Sequence, residues 1–513
     1  MNKATYRKHH KWLGIIFCFF MLMFAVSGLM LNHRHYYGKV NVSRGYLPKS
    51  FQFHNFNNGL LRSSLSIGTD SVLVYGAGGI FLSDTKGSKF TDFNQGISPS
   101  ADSRNMRSVV MTPDSTLFAL APYDCYTLSR GAHEWRQVNI VEQNAIHPVR
   151  FTDLAVKGDT LIILSRSNVY ICPPPYKSFQ RVTLKASADS DGKVSLFRTI
   201  WMLHSGELFG IMGKVIVDLL AILFIFFCIS GLIIWLTPKW MKRRVKAGVK
   251  DIAISRAVMK FNVTHHERLG RWTIILTLGL CITGWMLRPP ILIALVKLST
   301  PALPYSALDD PNPWNDKLRM IAWDETCRDW LLSTSNGFYS LKDFDSTPRR
   351  ITDAPAVSVM GLNVLTPLND GIWIVGSFSG LFAWDRVNGR SIDYFTHQPA
   401  PTKSGAPFGN LAISGFSMDF DGDPVVTTWY DGVLDSNGIG AGQSNEKPAI
   451  VQPEWMRTLP MSAWALALEI HTGRIYTFLC GAETLLFVFV AGIVAVWLLY
   501  SGWKIRKRKK SSR

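Results

Sequence analysis

Histidine is the side chain in this 513-residue sequence whose placement most invites chemistry. His10 and His266 each stand at the start of an apolar run, and His204 and His471 each precede another. A neutral imidazole binds a metal through one ring nitrogen. Two imidazoles facing each other across a gap wide enough for a macrocycle make the axial ligand set of a b-type haem, provided that small residues admit the ring. Gly14, Gly270, Gly206 and Gly473 lie two to four residues from the four histidines and are expected to supply that room. Paired diagonally in an up-down bundle, His10 with His266 and His204 with His471, the four are expected to hold two haems, one near each membrane face.

The adjacent His9 and His265 complicate the first pair, because neighbours on a helix differ by about 100° in direction. Only one of each doublet points at the bundle axis, and the sequence leaves open which. His33 and His35 are the alternative outer ligands or a place for a metal substrate. They have no counterpart in the second half, where position 289 is Pro. The bland alternative for all of these is an interfacial side chain, which is how Trp12, Trp272 and Tyr476 read. His54, His133, His147 and His397 read as ordinary surface or loop residues. One distance is awkward: His204 precedes Val215 by eleven residues, about 16 Å along a straight helix. A break at Gly210, Gly213 or Lys214, and at Gly481 for His471, is expected to bring these rings back to the membrane edge. Without it, His33 is the better outer ligand.

Those histidines need apolar helices to position them. The chain is 47% hydrophobic and 12% aromatic, rich for a soluble protein. Four runs approach the roughly 20 apolar residues that a hydrocarbon core demands: Leu13 to Leu31, Val215 to Leu236, Trp272 to Leu287 and Tyr476 to Tyr500. Arg288, Pro289 and Pro290 cut the third short. The formal net charge is +18, and its location decides its meaning. Residues 1–12, 238–272 and 503–513 hold 21 of the 55 Lys and Arg against Asp251 and Glu267 alone, which leaves 34 basic and 35 acidic residues elsewhere. Excess positive charge confined to segments beside apolar spans is the positive-inside pattern. Both termini are therefore expected in the cytoplasm, with roughly 33–205 and 288–475 outside. A nucleic-acid partner loses its main support. No small-x-small cleavage site precedes Asn32, so the first run reads as an anchor rather than a signal peptide.

An internal repeat organises the chain. The first and third spans align without a gap at an offset of 256, matching His9-His10 with His265-His266, Leu13-Gly14 with Leu269-Gly270, and Ser27-Gly28 with Thr283-Gly284. His204-Ser205-Gly206 likewise corresponds to His471-Thr472-Gly473. The expected fold is an integral membrane α-helical bundle of four transmembrane helices with a two-fold internal repeat, carrying two β-rich, propeller-like periplasmic domains. Its segments are a cytoplasmic N-terminus (1–12), spans at 13–33, 204–237, 271–288 and 471–502, β domains at 34–203 and 289–470, a basic loop at 238–270 and a basic tail at 503–513. The β reading rests on short alternating runs bounded by turn residues. Ser71 to Tyr75, Thr116 to Leu120 and Thr160 to Leu164 recur every 44 or 45 residues, and Trp330 to Leu332, Ile372 to Val375 and Val425 to Thr428 echo them. Spacing near 40 to 45 with paired strands is propeller-like, and three units per half make either one six-bladed ring or two separate domains.

Among the remaining residues, Asp218 and Glu483 occupy the outer parts of spans two and four, as structural groups, partnered with Lys214 or protonated, or as groups that pass protons or bind a haem propionate through a neighbour. Cys125 and Cys172 are candidates for a disulfide outside the membrane, although Cys327 makes the count there odd. Gly76 to Gly79 and Gly438 to Gly442 lack the strand-turn-helix context of a dinucleotide site and read as turns. Electrons would come from quinol or from a separate cytoplasmic reductase.

His10-Lys11-Trp12-Leu13-Gly14 with Ser27-Gly28, the stretch Leu203 to Gly210 (Leu-His-Ser-Gly-Glu-Leu-Phe-Gly) and His266-Glu267-Arg268-Leu269-Gly270 resemble the PepSY-associated transmembrane family, which includes iron-regulated membrane proteins and ferric-siderophore reductases. The resemblance covers the spans and their approaches, about a third of the chain. It implies a haem-b conduit in a bacterial inner membrane, with His10, His204, His266 and His471 at the ligand positions and a periplasmic ferric complex as acceptor. The α+β modules usual outside the membrane in that family are not recognisable here. A competing reading is a non-enzymatic membrane-anchored sensor or scaffold whose β domains bind a partner. A transporter subunit is a weaker third, because so few spans, so poor in polar residues, line a pore badly.

Overall fold

A computed structural model describes residues 2–141, 148–248, 251–358, 360–369, 371–401, 411–440, 449–477, 481 and 484–505. Two compact units emerge, each built from separated stretches of chain: residues 1–37, 193–309 and 464–513 form the first, and 38–192 with 310–463 the second.

The first unit is helical. Its elements are α1 (Lys3–Asn32), α2 (Arg34–Tyr37), α3 (Leu196–Ser205), α4 (Gly210–Lys246), α5 (Ala253–Trp272), α6 (Ile274–Met286), α7 (Ile291–Val296), α8 (Ala463–His471) and α9 (Thr484–Lys504). Helix α1 packs against α4 and α9, α4 against α5, and α6 against α9. Among the described residues, three helical stretches are long and apolar enough to cross a bilayer: Lys3–Asn32, Glu207–Lys246 and Leu486–Lys504. The fourth expected span differs. Helices α5 and α6 meet at a 71° bend and pass only if counted together. Thirteen-residue α6 reaches about 20 Å, short of a core about 30 Å thick, with Pro289 and Pro290 three and four residues beyond its end. The unit is that of a membrane protein, its apolar helices suited to a lipid bilayer.

The second unit is β. Among the described residues its strands make six antiparallel sheets of consecutive strands, beside a two-stranded pairing of Asn41–Val42 with Met461–Ser462. The first contains Ser63–Ser66, Ser71–Gly76, Gly79–Asp84 and Phe90–Asp92, and the second Ser108–Met111, Leu117–Leu120, Cys125–Leu128 and Arg136–Val138. Phe151–Lys157, Thr160–Ser165, Val169–Cys172 and Gln180–Val182 form the third. Leu318–Asp324, Asp329–Thr334, Gly337–Leu341 and Arg349–Ile351 form the fourth. The fifth has Leu362–Asn369, Ile372–Ser377, Gly380–Asp385 and Arg390–Asp393, and the sixth Ile413–Ser417, Val425–Thr428 and Gly432–Val433. The first strands of successive sheets lie side by side, and that of the sixth lies beside that of the first, where the Phe416 N–H donates to the Arg62 carbonyl at 3.0 Å.

Of the two expected arrangements, one body from both stretches or two separate domains, the two stretches form one unit. The reason is shared core. Ala155, Ile162, Leu164 and Val169 of the third sheet pack with Leu318, Ile321, Trp330 and Leu332 of the fourth. Val72, Val74 and Phe81 of the first sheet pack with Phe420, Val425 and Val433 from the end of the second stretch. Neither half could bury these faces alone. Cys125 and Cys172 both lie in one apolar cluster and are free thiols, so the expected disulfide is absent.

One buried carboxyl gives this unit a pH signature. Asp153 sits in the first strand of the third sheet, accepting from the Ile321 N–H at 3.0 Å and the Leu154 N–H at 2.9 Å. Burial pushes its carboxyl up to about 7. A folded value above the unfolded one means that the native state binds the extra proton, so stability falls as pH rises from about 4 to 7. Thermal unfolding should show a midpoint that climbs on acidification across that window, and an Asp153→Asn variant should lose that climb.

Two histidine pairs between helices

The fold places the candidate histidines on four different helices and brings them together two by two. His10 of α1 faces His266 of α5 with ring centres 6.3 Å apart. His204, at the end of α3, faces His471, at the end of α8, at 6.0 Å. Along α1, His10 and the Ser27-Gly28 step that touches His471 are seventeen residues apart, about 26 Å of helix. The two pairs therefore sit at levels separated by nearly a hydrocarbon thickness.

Each imidazole is held the same way. His10 Nδ1 lies 3.0 Å from the Leu498 carbonyl and 3.3 Å from Ser501 Oγ. For His266 the partner is Ser230 Oγ at 2.8 Å. His204 Nδ1 meets the Leu280 carbonyl and Thr283 Oγ1, both at 3.1 Å. His471 Nδ1 meets the Phe24 carbonyl at 3.0 Å and Ser27 Oγ at 3.2 Å. The four hydroxyls spend their own protons on carbonyls of their helices, Met23 for Ser27, Gly279 for Thr283, Phe227 for Ser230 and Leu498 for Ser501. They are thus left to accept. A carbonyl can only accept, so Nδ1 carries the ring proton and Nε2 keeps its lone pair. This is the outer-shell arrangement that orients a ligating histidine.

Every one of those hydroxyl residues is followed by glycine, and the glycine is where the ring lies. A methyl group on Gly284 would stand 2.7 Å from His204 Cε1, on Gly502 3.0 Å from His10 Cε1, on Gly28 3.1 Å from His471 Cε1, and on Gly231 3.9 Å from His266 Cε1. The glycines chosen from the sequence do other things. A methyl on Gly14 or Gly270 would meet only Leu498 or Phe227, at 3.8 Å. Gly206 and Gly473 take nearly identical left-handed turns, with φ +82° in both, each at a helix end where glycine is favoured. The break that lets His204 reach the bundle runs from this turn to Gly210, one of the expected positions, which has φ +61° and opens α4. Gly206 and Gly213 touch backbone to backbone there, with room for no side chain on either. A Gly284→Leu variant should push the His204 ring aside and disturb the outer pair while leaving the inner pair intact, as read by histidine ring resonances or by ligand content of each site.

The other candidates are accounted for. His9 lies against Trp497 at 6.1 Å. His265 stacks on Phe261 at 4.0 Å, its Nδ1 on that residue's carbonyl at 2.8 Å. His10 and His266 are thus the members of each doublet that face one another. His33 Nε2 is 3.0 Å from Asp218 Oδ2, and Asn32 donates to the other carboxylate oxygen at 2.8 Å. Asp218 is therefore a partner to these two rather than to Lys214, which pairs with Glu207 at 3.4 Å. His35 packs on Tyr36 at 5.4 Å. Glu483, Cys480 and His147 lie outside the described residues.

A haem fits these pairs. With metal–imidazole bonds of about 2 Å and about 1 Å from nitrogen to ring centre, two imidazoles on one iron have centres about 6 Å apart, as both pairs do. The donor set is neutral imidazole with oriented Nδ1–H, as axial ligation requires. Among the described residues, no group of three or more His, Cys, Asp or Glu is gathered for a bare metal ion.

No curated protein matches the chain. Among solved structures, the extracellular domain of a hybrid two-component system from B. thetaiotaomicron is similar at 9% identity, covering 73% of this chain and 32% of that one, with a TM-score of 0.36. Virginiamycin B lyase from Staphylococcus aureus is similar at 8% identity over 76% and 85% of the two chains, TM-score 0.34. PorZ from Porphyromonas gingivalis is similar at 9% identity over 72% and 44%, TM-score 0.22. The chain thus spans about a third of the length of the first of these. The model of the PepSY-associated TM region matches residues 2–238, which take in His10, the Ser27-Gly28 step, the His204 turn and Ser230-Gly231. By that match residues 2–238 are a PepSY-associated TM region.

Proposed function

We propose that the helical unit holds two b-type haems, one on His10 and His266 and one on His204 and His471, and conducts electrons across a bacterial inner membrane. The donor is quinol or a cytoplasmic reductase, and the acceptor is an oxidant outside, such as a ferric complex taken up for iron. What carries the reading is the matched geometry: two ring pairs near 6 Å, each ring fixed through Nδ1 on a Ser/Thr-Gly step. Haem iron, when bound, takes up and gives back one electron at a time.

The chain's own part is to hold and tune. Nε2 of each histidine is the free donor. The four hydroxyls fix ring rotation, so that little reorganisation accompanies a change of charge at the site. Phe227 beside His266 and Phe24 beside His471 exclude water. Arg288 stands close enough for its charge to be felt at both His204 and His471, near the ion pair of Glu469 and Arg474. A cation there suits the carboxylates of a haem edge. The positive-inside count supports cytoplasmic termini and a β unit outside. We read its six sheets as blades of one propeller-like body that meets the acceptor, a reading supported by the side-by-side run of first strands.

Protein purified from haem-replete cells should show a b-type spectrum that appears on dithionite reduction. A colourless preparation would instead favour a membrane-anchored sensor or scaffold.

A further inference from the structure

The helix that carries His266 does not run straight into the bundle. Helix α5 meets α6 at 71°, whereas α1 is unbroken from Lys3 through the corresponding His10. Because α6 packs along the span α9, the bend turns α5 well away from the membrane normal. One face of α5 is seated in the protein. Ser255 and Asn262 are buried there, Asn262 donating to the Val258 carbonyl at 2.9 Å, and His266 is held by Ser230 of α4 at 2.8 Å.

A second face is apolar and bare. Ile254, Val258, Phe261 and Trp272 fall within about 60° of the helix circumference, and all four are exposed, Ile254 and Trp272 at 79%. The stripe runs on past the bend through Ile275 and Leu276, exposed residues of the apolar helix α6. A third face is basic. Arg256, Lys260 and Arg268 are exposed. Among the described residues none of these three makes an ion pair, whereas Arg271 is already matched by Glu267 at 2.9 Å. Arg243, Arg244 and Lys246 in the last turn of α4 add to the same basic segment. An exposed apolar stripe beside a basic face is the pattern of a helix that lies in a membrane interface. Here the stripe is also continuous with the lipid-facing surface of α6, so one leaflet covers both.

We propose that α5 is an in-plane helix docked on the leaflet nearest the His10–His266 pair, and that it selects anionic phospholipids. Ile254, Val258, Phe261 and Trp272 sink into the acyl boundary, while Arg256, Lys260 and Arg268 take headgroup phosphates as their missing counter-charges. Each cation beside an anionic surface strengthens the docking about fivefold. The docking involves no haem, so a haem-free preparation should dock as well as a haem-loaded one.

The experiment is hydrogen exchange, read by mass spectrometry, on the full chain in nanodiscs of phosphatidylcholine with and without phosphatidylglycerol. Amides of residues 253–272 should exchange about tenfold or more slowly when phosphatidylglycerol is present, and the difference should shrink at high salt. Arg256→Gln, Lys260→Gln and Arg268→Gln combined should abolish the difference, and Phe261→Glu should speed exchange in both bilayers. Lys49→Gln, an exposed lysine of the β unit, should change nothing. If the triple variant fails to fold, the two bilayers and their salt dependence decide the matter on the unaltered chain. Equal exchange in the two bilayers, or a phosphatidylglycerol effect kept in the triple variant, would overturn the proposal. So would protection that is as strong in detergent and rises with chain concentration, the sign of a second copy on the stripe.

Discussion

Replacing His10 or His266 with alanine should remove about half of the reducible b-type absorbance, and replacing His204 or His471 should remove the other half, because each pair is one ligand set. The halves should be separable in a redox titration, since the charge of Arg288 acts on the His204–His471 pair. Alanine at His9, His265 or His33 should leave the full signal. Those three rings are turned to Trp497, Phe261 and Asp218. Loss of all colour in every variant, or retention in the four, would sink the two-site assignment. Pyridine haemochrome quantitation against protein concentration is the measurement.

The second large effect is on stability. Arg386 is 5% exposed at its side chain and bridges Asp324 at 2.7 Å and Asp329 at 2.6 Å. Asp324 also accepts from Trp373 Nε1 at 2.9 Å. The network ties the fourth sheet, which carries both aspartates, to the fifth, which carries Trp373. An Arg386→Ala variant leaves a carboxylate buried without its cation, which costs about 3–5 kcal/mol. Adding Asp324→Asn to that variant should recover part of the loss by removing the orphaned charge. Thermal unfolding followed by tryptophan emission reads both. A drop no larger than that of an exposed arginine such as Arg349→Ala would show the network to be dispensable.

Much of this arrangement was legible in residue order. The second and third strands of the sheets announced themselves through runs such as Ser71 to Tyr75 and Ile372 to Val375, because strands buried on both faces are apolar throughout. First and fourth strands such as Ser63–Ser66 and Arg136–Val138 did not, being short and polar. His10 and His266 followed from the offset of 256, and His204 and His471 from the match of His-Ser-Gly with His-Thr-Gly. Half of their seats did not. Ser27-Gly28 and Thr283-Gly284 stood out because they align, whereas Ser230-Gly231 and Ser501-Gly502 lie in spans matched only through their approaches. The shared signal, Ser or Thr followed by Gly in or directly after each apolar run, was present and unread. The union of the two β stretches stood only as one of two alternatives, because the contacts that create it join residues far apart in sequence.

That union has a consequence for how the chain is made. The third sheet is complete at Val182 and the fourth begins at Leu318, 136 residues later. At about 5–20 residues per second, synthesis takes roughly 7–27 s to cover that interval. Throughout it, Ile162, Leu164 and Val169 wait without the tryptophans and leucines that will cover them. The nascent half-unit is thus a sticky, unfinished edge for a time long compared with strand pairing. Its biogenesis should therefore depend on a holding chaperone, or on slowing the approach of the first half to folding, more than the stability of the finished protein would suggest.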